Sequence, residues 1–477
     1  MINHFKYILI FLVISFCSTS TSPSLPENFN NCLISLDESL EDIQQIKNEN
    51  EINFEIRIVR EPTEREECVD MILGTNLEQG SRIDNGDVVD LVVGIKKDEI
   101  TETVLDTEYD LYLQQLEDKN IEELNLIIAP NFGTSIPNII IEDQNVVTFI
   151  RKENPLNYKF MFSEAEGYVY GVDSNNKVNM VLDISDKTVR EREAGLHTFD
   201  FLNIDATNYL IITYSGTDNN YHLSAFEILD NLQLGEEQTL ALLGDIDGKT
   251  VHLGGKILQK NDDIILCLGD VNSPGTSAKF DTLWGKIISF PKINLLKQPV
   301  TTFNDERISF IGYGLRNPWS CFFQENNLII PDVGNSHWEE INIIKNLDIN
   351  NEPVFFGWPW YEAYFNANYN NTPVDEETKN SLIEQAQFPL FLYPHANNYC
   401  AIIGGTELKD TSKWEGYFFV GDFCTGTIWA INIENQSELI VLEKNLIPFS
   451  ITTINDSGNE TLLVGTTSGQ IIEVVLP

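Results

Sequence analysis

Positive charge is what this chain lacks most: 30 Lys and Arg stand against 73 Asp and Glu, a formal net charge of −43 over 477 residues. Binding a phosphate backbone needs clustered cations, so nucleic acid is excluded as a partner. An anionic membrane surface is disfavoured for the same reason. No Cys-x-x-Cys occurs, which argues against a zinc site. No Gly-x-Ser-x-Gly occurs, so the elbow that presents a hydrolase serine is missing. Beyond residue 22 no apolar run is long enough to span a bilayer. Helical periodicity is scarce too, whereas aromatic residues make up 10% and β-branched residues are frequent, as in a large β-rich globular protein.

Residues 1–22 read as an export signal. His4 and Lys6 lead into the apolar run Tyr7-Ile-Leu-Ile-Phe-Leu-Val-Ile-Ser-Phe16, which is too short for a membrane helix. Cys17 stands where a lipoprotein would be acylated, but Phe16 is bulky where a small residue is expected; ordinary cleavage is the expectation and a lipid anchor the alternative. The expected location is extracytoplasmic. Six further cysteines follow, an even number that suits disulfides in an exported chain. Sequence order suggests Cys32–Cys68 and Cys400–Cys424, whereas Cys267 and Cys321 lie in apolar strand-like runs and read as buried thiols.

Residues 31–96 form a unit of their own. Leu36-Asp-Glu-Ser-Leu-Glu-Asp-Ile-Gln-Gln-Ile46 has helical spacing, and strands are expected at 54–59, 69–73 and 88–93. With the turn Gly80-Ser-Arg-Ile-Asp-Asn-Gly86, this α+β order resembles a PASTA domain. The resemblance implies a spacer, or a module that meets cell wall or a protein partner. Residues 97–124 read as an acidic helical linker. From 125 to 477 short apolar strands recur, each ending in Gly or Asp. They are Gly167–Gly171, Tyr209–Gly216, Ile264–Asp270, Leu328–Gly334, Gly416–Asp422 and Leu462–Gly465. Six such units with few helices between them predict an all-β six-bladed β-propeller, in which each blade needs only its neighbours. The run near 125–150 is expected to pair with the last blade and close the ring, and residues 343–395 to form an insertion over one face.

Chemistry concentrates between the third and fifth units. Val251-His-Leu-Gly-Gly-Lys-Ile257 sets His252 before an inner strand, and Gly269-Asp270 ends that unit eighteen residues on. A carboxylate beside an imidazole fixes its tautomer and makes a general base near neutral pH. Gly312-Tyr-Gly-Leu-Arg-Asn-Pro-Trp319 and Asp332-Val-Gly-Asn-Ser-His-Trp-Glu-Glu-Ile-Asn342 put an Arg-Asn pair and a Gly-Asn turn at strand ends, groups suited to an anion and a hard cation. Trp319 and Trp358 are expected to be packing; Trp360 and Tyr361, in the insertion, are the candidates for ligand contact.

These motifs, with Phe356-Gly-Trp-Pro359, Tyr393-Pro-His395, Cys400-Ala-Ile-Ile-Gly-Gly405 and Gly421-Asp-Phe-Cys-Thr-Gly-Thr-Ile-Trp429, resemble the glucose/sorbosone dehydrogenase family over about 160–477. The resemblance implies pyrroloquinoline quinone (PQQ) and Ca2+, with oxidation at an aldose C1 hydroxyl. It implies His252 as the base, Asp270 as its orienting partner, Arg316 and Asn317 on the quinone, and main-chain carbonyls of Gly334 and Asn335 on calcium. It also supports a Cys400–Cys424 disulfide. Two departures stand out. The family's enzymes carry a Lys where this chain has Cys424-Thr425, and an Arg-x-Arg where it reads Ile447-Pro-Phe-Ser450. Burying the quinone's carboxylates without fixed cations is costly. Lys409 is the substitute cation within reach in sequence. Two functions are therefore expected: a sugar dehydrogenase, or a glycan- or protein-binding propeller of the same family without quinone.

Overall fold

The computed structural model describes residues 135–477, apart from 247, 368, 370–373, 397, 410, 412, 434–438, 444–445 and 447–449. It also describes 125–126 and 131–132 and, nearer the N-terminus, 35, 43, 46, 55–63, 68, 71–75 and 88–96. The chain divides into two compact units, Met1–Leu105 and Asp106–Pro477. In the first, β1 (Glu55–Thr63), β2 (Ile72–Thr75) and β3 (Val88–Lys96) make a sheet in the order β1-β3-β2, with β1 parallel and β2 antiparallel to β3. Val89, Leu91 and Val93 are buried at the two-residue spacing that puts them on one face. Ile43 and Ile46 are helical. Cys68 is disulfide-bonded. Cys32, the export signal, the turn at 80–86, the linker at 97–124 and most of the expected helix lie outside the described residues.

The second unit opens with β4 (Asn125–Leu126), β5 (Asn131–Phe132) and β6 (Ile136–Ile141). Blade 1 is β7 (Val147–Arg151), β8 (Phe160–Glu164), β9 (Tyr168–Val172) and β10 (Val178–Asp183). Blade 2 is β11 (Leu196–Ile204), β12 (Thr207–Ser215), β13 (Asn220–Ile228) and β14 (Leu234–Asp245), and blade 3 is β15 (Gly254–Lys260), β16 (Asp263–Leu268), β17 (Lys286–Pro291) and β18 (Ser309–Tyr313). Blade 4 begins with β19 (Phe322–Gln324), β20 (Asn327–Asp332) and β21 (Trp338–Ile344). It is then interrupted by β22 (Val354–Phe355), β23 (Tyr361–Glu362), β24 (Phe365–Asn366) and α1 (Glu376–Gln385) before its fourth strand, β25 (Phe391–Pro394). Blade 5 is β26 (Ile402–Glu407), β27 (Tyr417–Asp422), β28 (Ile428–Asn432) and β29 (Leu439–Glu443). Blade 6 is β30 (Ile451–Gly458), β31 (Thr461–Thr466) and β32 (Ile471–Val475), completed by β6.

Neighbouring strands within each blade pair antiparallel, and β6 lies antiparallel on β32, so the run before blade 1 closes the ring as expected. On its way there the chain lays β4 parallel to β25 and β5 parallel to β29, covering two outer edges that would otherwise be bare. Buried apolar clusters fill the space between every pair of adjacent blades. Phe149 and Phe199 meet between blades 1 and 2, Ile264 and Tyr209 between 2 and 3, and Ile330 and Ile265 between 3 and 4. Ile329 and Val420, Phe419 and Ile454, and Leu463 and Phe160 fill the remaining three. Each blade is thus buried on both faces. This is why its central strands read as continuous apolar runs and not as alternation. Each fully buried Ile or Leu contributes roughly 1.5–3 kcal/mol.

Three expectations need correction. Cys267 and Cys321 are not free thiols: they form a disulfide across 54 residues, joining β16 of blade 3 to the residue ahead of β19 in blade 4. Both sit in tightly buried surroundings, and the pairing depends on blade packing that local sequence does not show. Gly167–Gly171 falls on the third strand of its blade and not the second, which is Phe160–Glu164. The insertion is narrower than 343–395, because β21 runs to Ile344 and Phe391–Pro394 is a blade strand.

Candidate active site

The register of blade 3 creates the site. Gly254 opens β15 opposite Leu268, the last residue of β16. Two residues outward on each strand, His252 and Asp270 stand side by side. His252 has a left-handed backbone, φ 54°, and its carbonyl passes so close to Gly269 that a Cβ there would lie 2.2 Å from the oxygen. A Cβ on Gly255 would meet the Tyr221 hydroxyl at 1.8 Å. The Gly-Gly and Gly-Asp pairs are therefore demanded by close approach.

Asp270 is fully buried. Its Oδ1 accepts from His252 Nδ1 at 2.8 Å and from the Asn272 amide at 2.8 Å; its Oδ2 accepts from Trp358 Nε1 at 2.9 Å. The network assigns the imidazole proton to Nδ1, because an ionised carboxylate only accepts. Nε2 is left with its lone pair. The His252 amide donates to Glu193 Oε2 at 2.7 Å, ahead of blade 2, and the Asp270 amide to the Arg316 carbonyl at 2.7 Å, ahead of blade 4.

Blade 4 repeats the plan. Asp332, at the end of β20, accepts the amides of Arg316 and Asn317 at 2.9 and 2.6 Å, and burial raises its carboxyl to about 7. The Arg316 guanidinium donates to the Val333 carbonyl at 3.0 Å and lies 5.8 Å from the centre of the Trp358 ring. Asn317 is 3% exposed, and its side-chain Oδ1 has no hydrogen-bond partner among the described residues. In the following turn the amides of Asn335, Ser336, His337 and Trp338 converge on Glu362 Oε1 at 2.8–3.0 Å. Burial alone would raise the Glu362 carboxyl, but the His337 imidazole 3.8 Å from Oε2, the nearby His395 and these amides hold it at about 2. Among the described residues, no hydrogen bond takes the Gly334 or Asn335 carbonyl.

Blade 5 has the same carboxylate with its capacity spent. Asp422 Oδ2 accepts from the Tyr393 hydroxyl at 3.0 Å and from the Cys400 and Ala401 amides at 3.0 and 3.2 Å; Oδ1 accepts the Thr425 amide and hydroxyl at 2.7 and 2.8 Å. The expected Cys400–Cys424 disulfide closes this corner. Glu164 of blade 1 likewise holds the amide and side chain of Asn145.

The predicted residues divide clearly. His252, Asp270, Arg316, Asn317, Gly334 and Asn335 collect at one end of blades 3 and 4. Lys409 does not join them: it lies beyond the far end of β26, exposed, its amide on Asp456. Trp360 is 2% exposed and packs among Ala278, Tyr313 and Phe355, so the insertion's own core takes it out of reach of a ligand. Tyr361 is half-buried with its ring against Phe388. Trp358, expected only to pack, is the residue that was missed; the Gly-Trp-Pro motif marks it but does not reveal its partner. A cavity of about 1080 Å³ lies between blades 1 and 2, and none of these residues lines it. Tyr214 there donates to Glu237 and His222 Nε2 meets Asp218, and neither His252 nor Asp270 lines the cavity, so size does not make it the reactive site.

A six-bladed propeller with an imidazole–carboxylate pair at one end of its inner strands, flanked by an arginine and an amide-lined turn, defines the class. The chain belongs to the glucose/sorbosone dehydrogenase family, whose model matches residues 154–472. Similar solved structures include the PQQ-bound aldose sugar dehydrogenase of Streptomyces coelicolor, at 15% identity and TM-score 0.55, covering 73% of this chain and 100% of that one. The soluble aldose sugar dehydrogenase of Escherichia coli, in its apo form, is 16% identical at TM-score 0.53, covering 72% and 99%. The PQQ domain of the Coprinopsis cinerea pyranose dehydrogenase is 12% identical at TM-score 0.51, covering 73% and 99%. At these identities the likeness establishes the fold alone. No curated protein matches the chain.

Proposed function

We propose that this propeller is an exported sugar dehydrogenase of the quinoprotein type that oxidises the C1 hydroxyl of an aldose. One observation carries the reading: Asp270 holds the His252 proton on Nδ1, leaving Nε2 as the acceptor for a hydroxyl proton. General bases so placed contribute about 10²–10⁴-fold. PQQ, when bound, supplies the hydride acceptor. Arg316 is the cation for one of its carboxylates, and Asn317 Oδ1, without a partner among the described residues, is a polar atom still open to a ligand. The free carbonyls of Gly334 and Asn335 suit Ca2+, a hard cation that prefers oxygen. Tyr361 remains the candidate for sugar contact. The Cys267–Cys321 and Cys400–Cys424 disulfides support an extracytoplasmic location. The N-terminal unit serves as a spacer of PASTA type.

A second reading, a glycan- or protein-binding propeller without quinone, is favoured by blade 5. There Thr425 is neutral and already bonded to Asp422, where the family's enzymes place a lysine. Titration of the purified full chain with PQQ and Ca2+, followed by quinone absorbance, separates the two. The dehydrogenase reading requires saturable binding at micromolar concentrations; none at that level selects the binding propeller.

A further inference from the structure

We propose that Trp358 is a positioning residue for His252: its indole N–H holds Asp270 in the one orientation that keeps the imidazole proton on Nδ1. This rests on the reading of His252 as the base. Trp358 belongs to the insertion of blade 4, yet it acts on blade 3. The insertion first lays β22 parallel to β18, with the Phe356 amide on the Tyr313 carbonyl at 2.9 Å, and the Trp358 amide then donates to the Gly314 carbonyl at 3.1 Å. The indole is 4% exposed and fixed on its remaining sides by the Tyr369 ring, edge-on at 4.9 Å, and by the Arg316 guanidinium. Its Nε1 is a donor only and meets Asp270 Oδ2 at 2.9 Å, while Oδ1 serves His252.

The division of labour on the carboxylate is the physical argument. Asp270 is fully buried, so an oxygen deprived of its donor has no water to turn to. Without the indole, the carboxylate rotates to satisfy Oδ2 and the His252 bond loses its alignment. Blade 5 anchors its own carboxylate in the same way, with the Tyr393 hydroxyl on Asp422 Oδ2 at 3.0 Å. An aromatic donor thus fixes the carboxylate in blades 3 and 5, and in blade 3 it is delivered by the insertion.

The test is ¹⁵N NMR of the histidine side chains in the full chain, with a His252→Gln variant used to assign the signal. Wild type should show His252 as a single Nδ1–H tautomer. Trp358→Phe, and 3-benzothienylalanine placed at 358 to keep the ring volume without the N–H, should both give a mixture in which the Nε2–H form grows severalfold. Where the loaded enzyme oxidises aldose, kcat should fall roughly tenfold with KM unchanged, the pattern of a misaligned base. An unchanged tautomer in the benzothienyl protein overturns the proposal, even if Trp358→Phe fails to fold. The tautomer needs no quinone, so a failed quinone titration leaves this test intact, and a failed tautomer test leaves the quinone reading standing.

Discussion

In blade 3 the carboxylate that follows the second strand holds an imidazole; in blade 5 the carboxylate that ends it holds three backbone amides and two hydroxyls. Asp270 and Asp422 occupy equivalent places, each beside the loop that enters the first strand of its own blade. The loop before β15 offers a histidine side chain from a left-handed backbone, and the loop before β26 offers the Cys400 and Ala401 amides. One site keeps a lone pair available at His252 Nε2, while the other is consumed by five hydrogen bonds and shut by a disulfide. A shared scaffold position becomes chemical or structural according to what its neighbouring loop presents.

The comparison can be broken at four points, from the largest expected effect to the smallest. Asp270→Asn should lower aldose oxidation by about 10²–10⁴-fold, since the amide can present a donor and favour the wrong tautomer. The equivalent Asp422→Asn should cost stability with little change per folded molecule; steady-state kinetics on both variants, with melts alongside, would expose a reversal. Replacing Cys400 and Cys424 by serine should destabilise the propeller by about 3 kcal/mol, because the bridge spans 24 residues, as read by denaturant titration. An unchanged midpoint would show that blade 5 is held by Asp422 alone.

Thr425→Lys should restore a cation at the closed corner and tighten PQQ binding about tenfold, roughly 1.4 kcal/mol. Equal affinity would mean that this corner does not face the quinone. The smallest effect is on pH. Burial raises Asp332 to about 7, Glu340 to about 8 and Asp422 to about 6. A carboxyl raised on folding gives stability that is complete below its unfolded value and is lost as pH rises through the folded one. The melting temperature should therefore fall from about pH 5 to about pH 7. Above neutrality Lys256 and Lys286, lowered by burial to about 7, oppose the trend. A melting temperature that rises over the acid window contradicts the assignment.

Much of this was legible in the sequence because blades repeat a buried strand followed by Gly or Asp. Five of the six recurrences fall on second strands. The sixth slipped by one strand because β8 and β9 are both flanked by buried faces and turn residues, and nothing local ranks them. His252 and Asp270 were legible because a strand pair keeps them in register only eighteen residues apart. Trp358 was not, since it reaches Asp270 across 88 residues through an insertion. Cys267–Cys321 was hidden in the same way, and Trp360 was misplaced because the insertion builds a small aromatic core with Tyr313 and Phe355.

The central claim is that blade 3 carries the reacting base. Dye-linked oxidation of an aldose panel by the full chain loaded with PQQ and Ca2+ tests it directly, with His252→Ala alongside. The account predicts turnover in the wild type and its loss in the variant, with quinone affinity and melting temperature retained. Undiminished turnover by His252→Ala would contradict it.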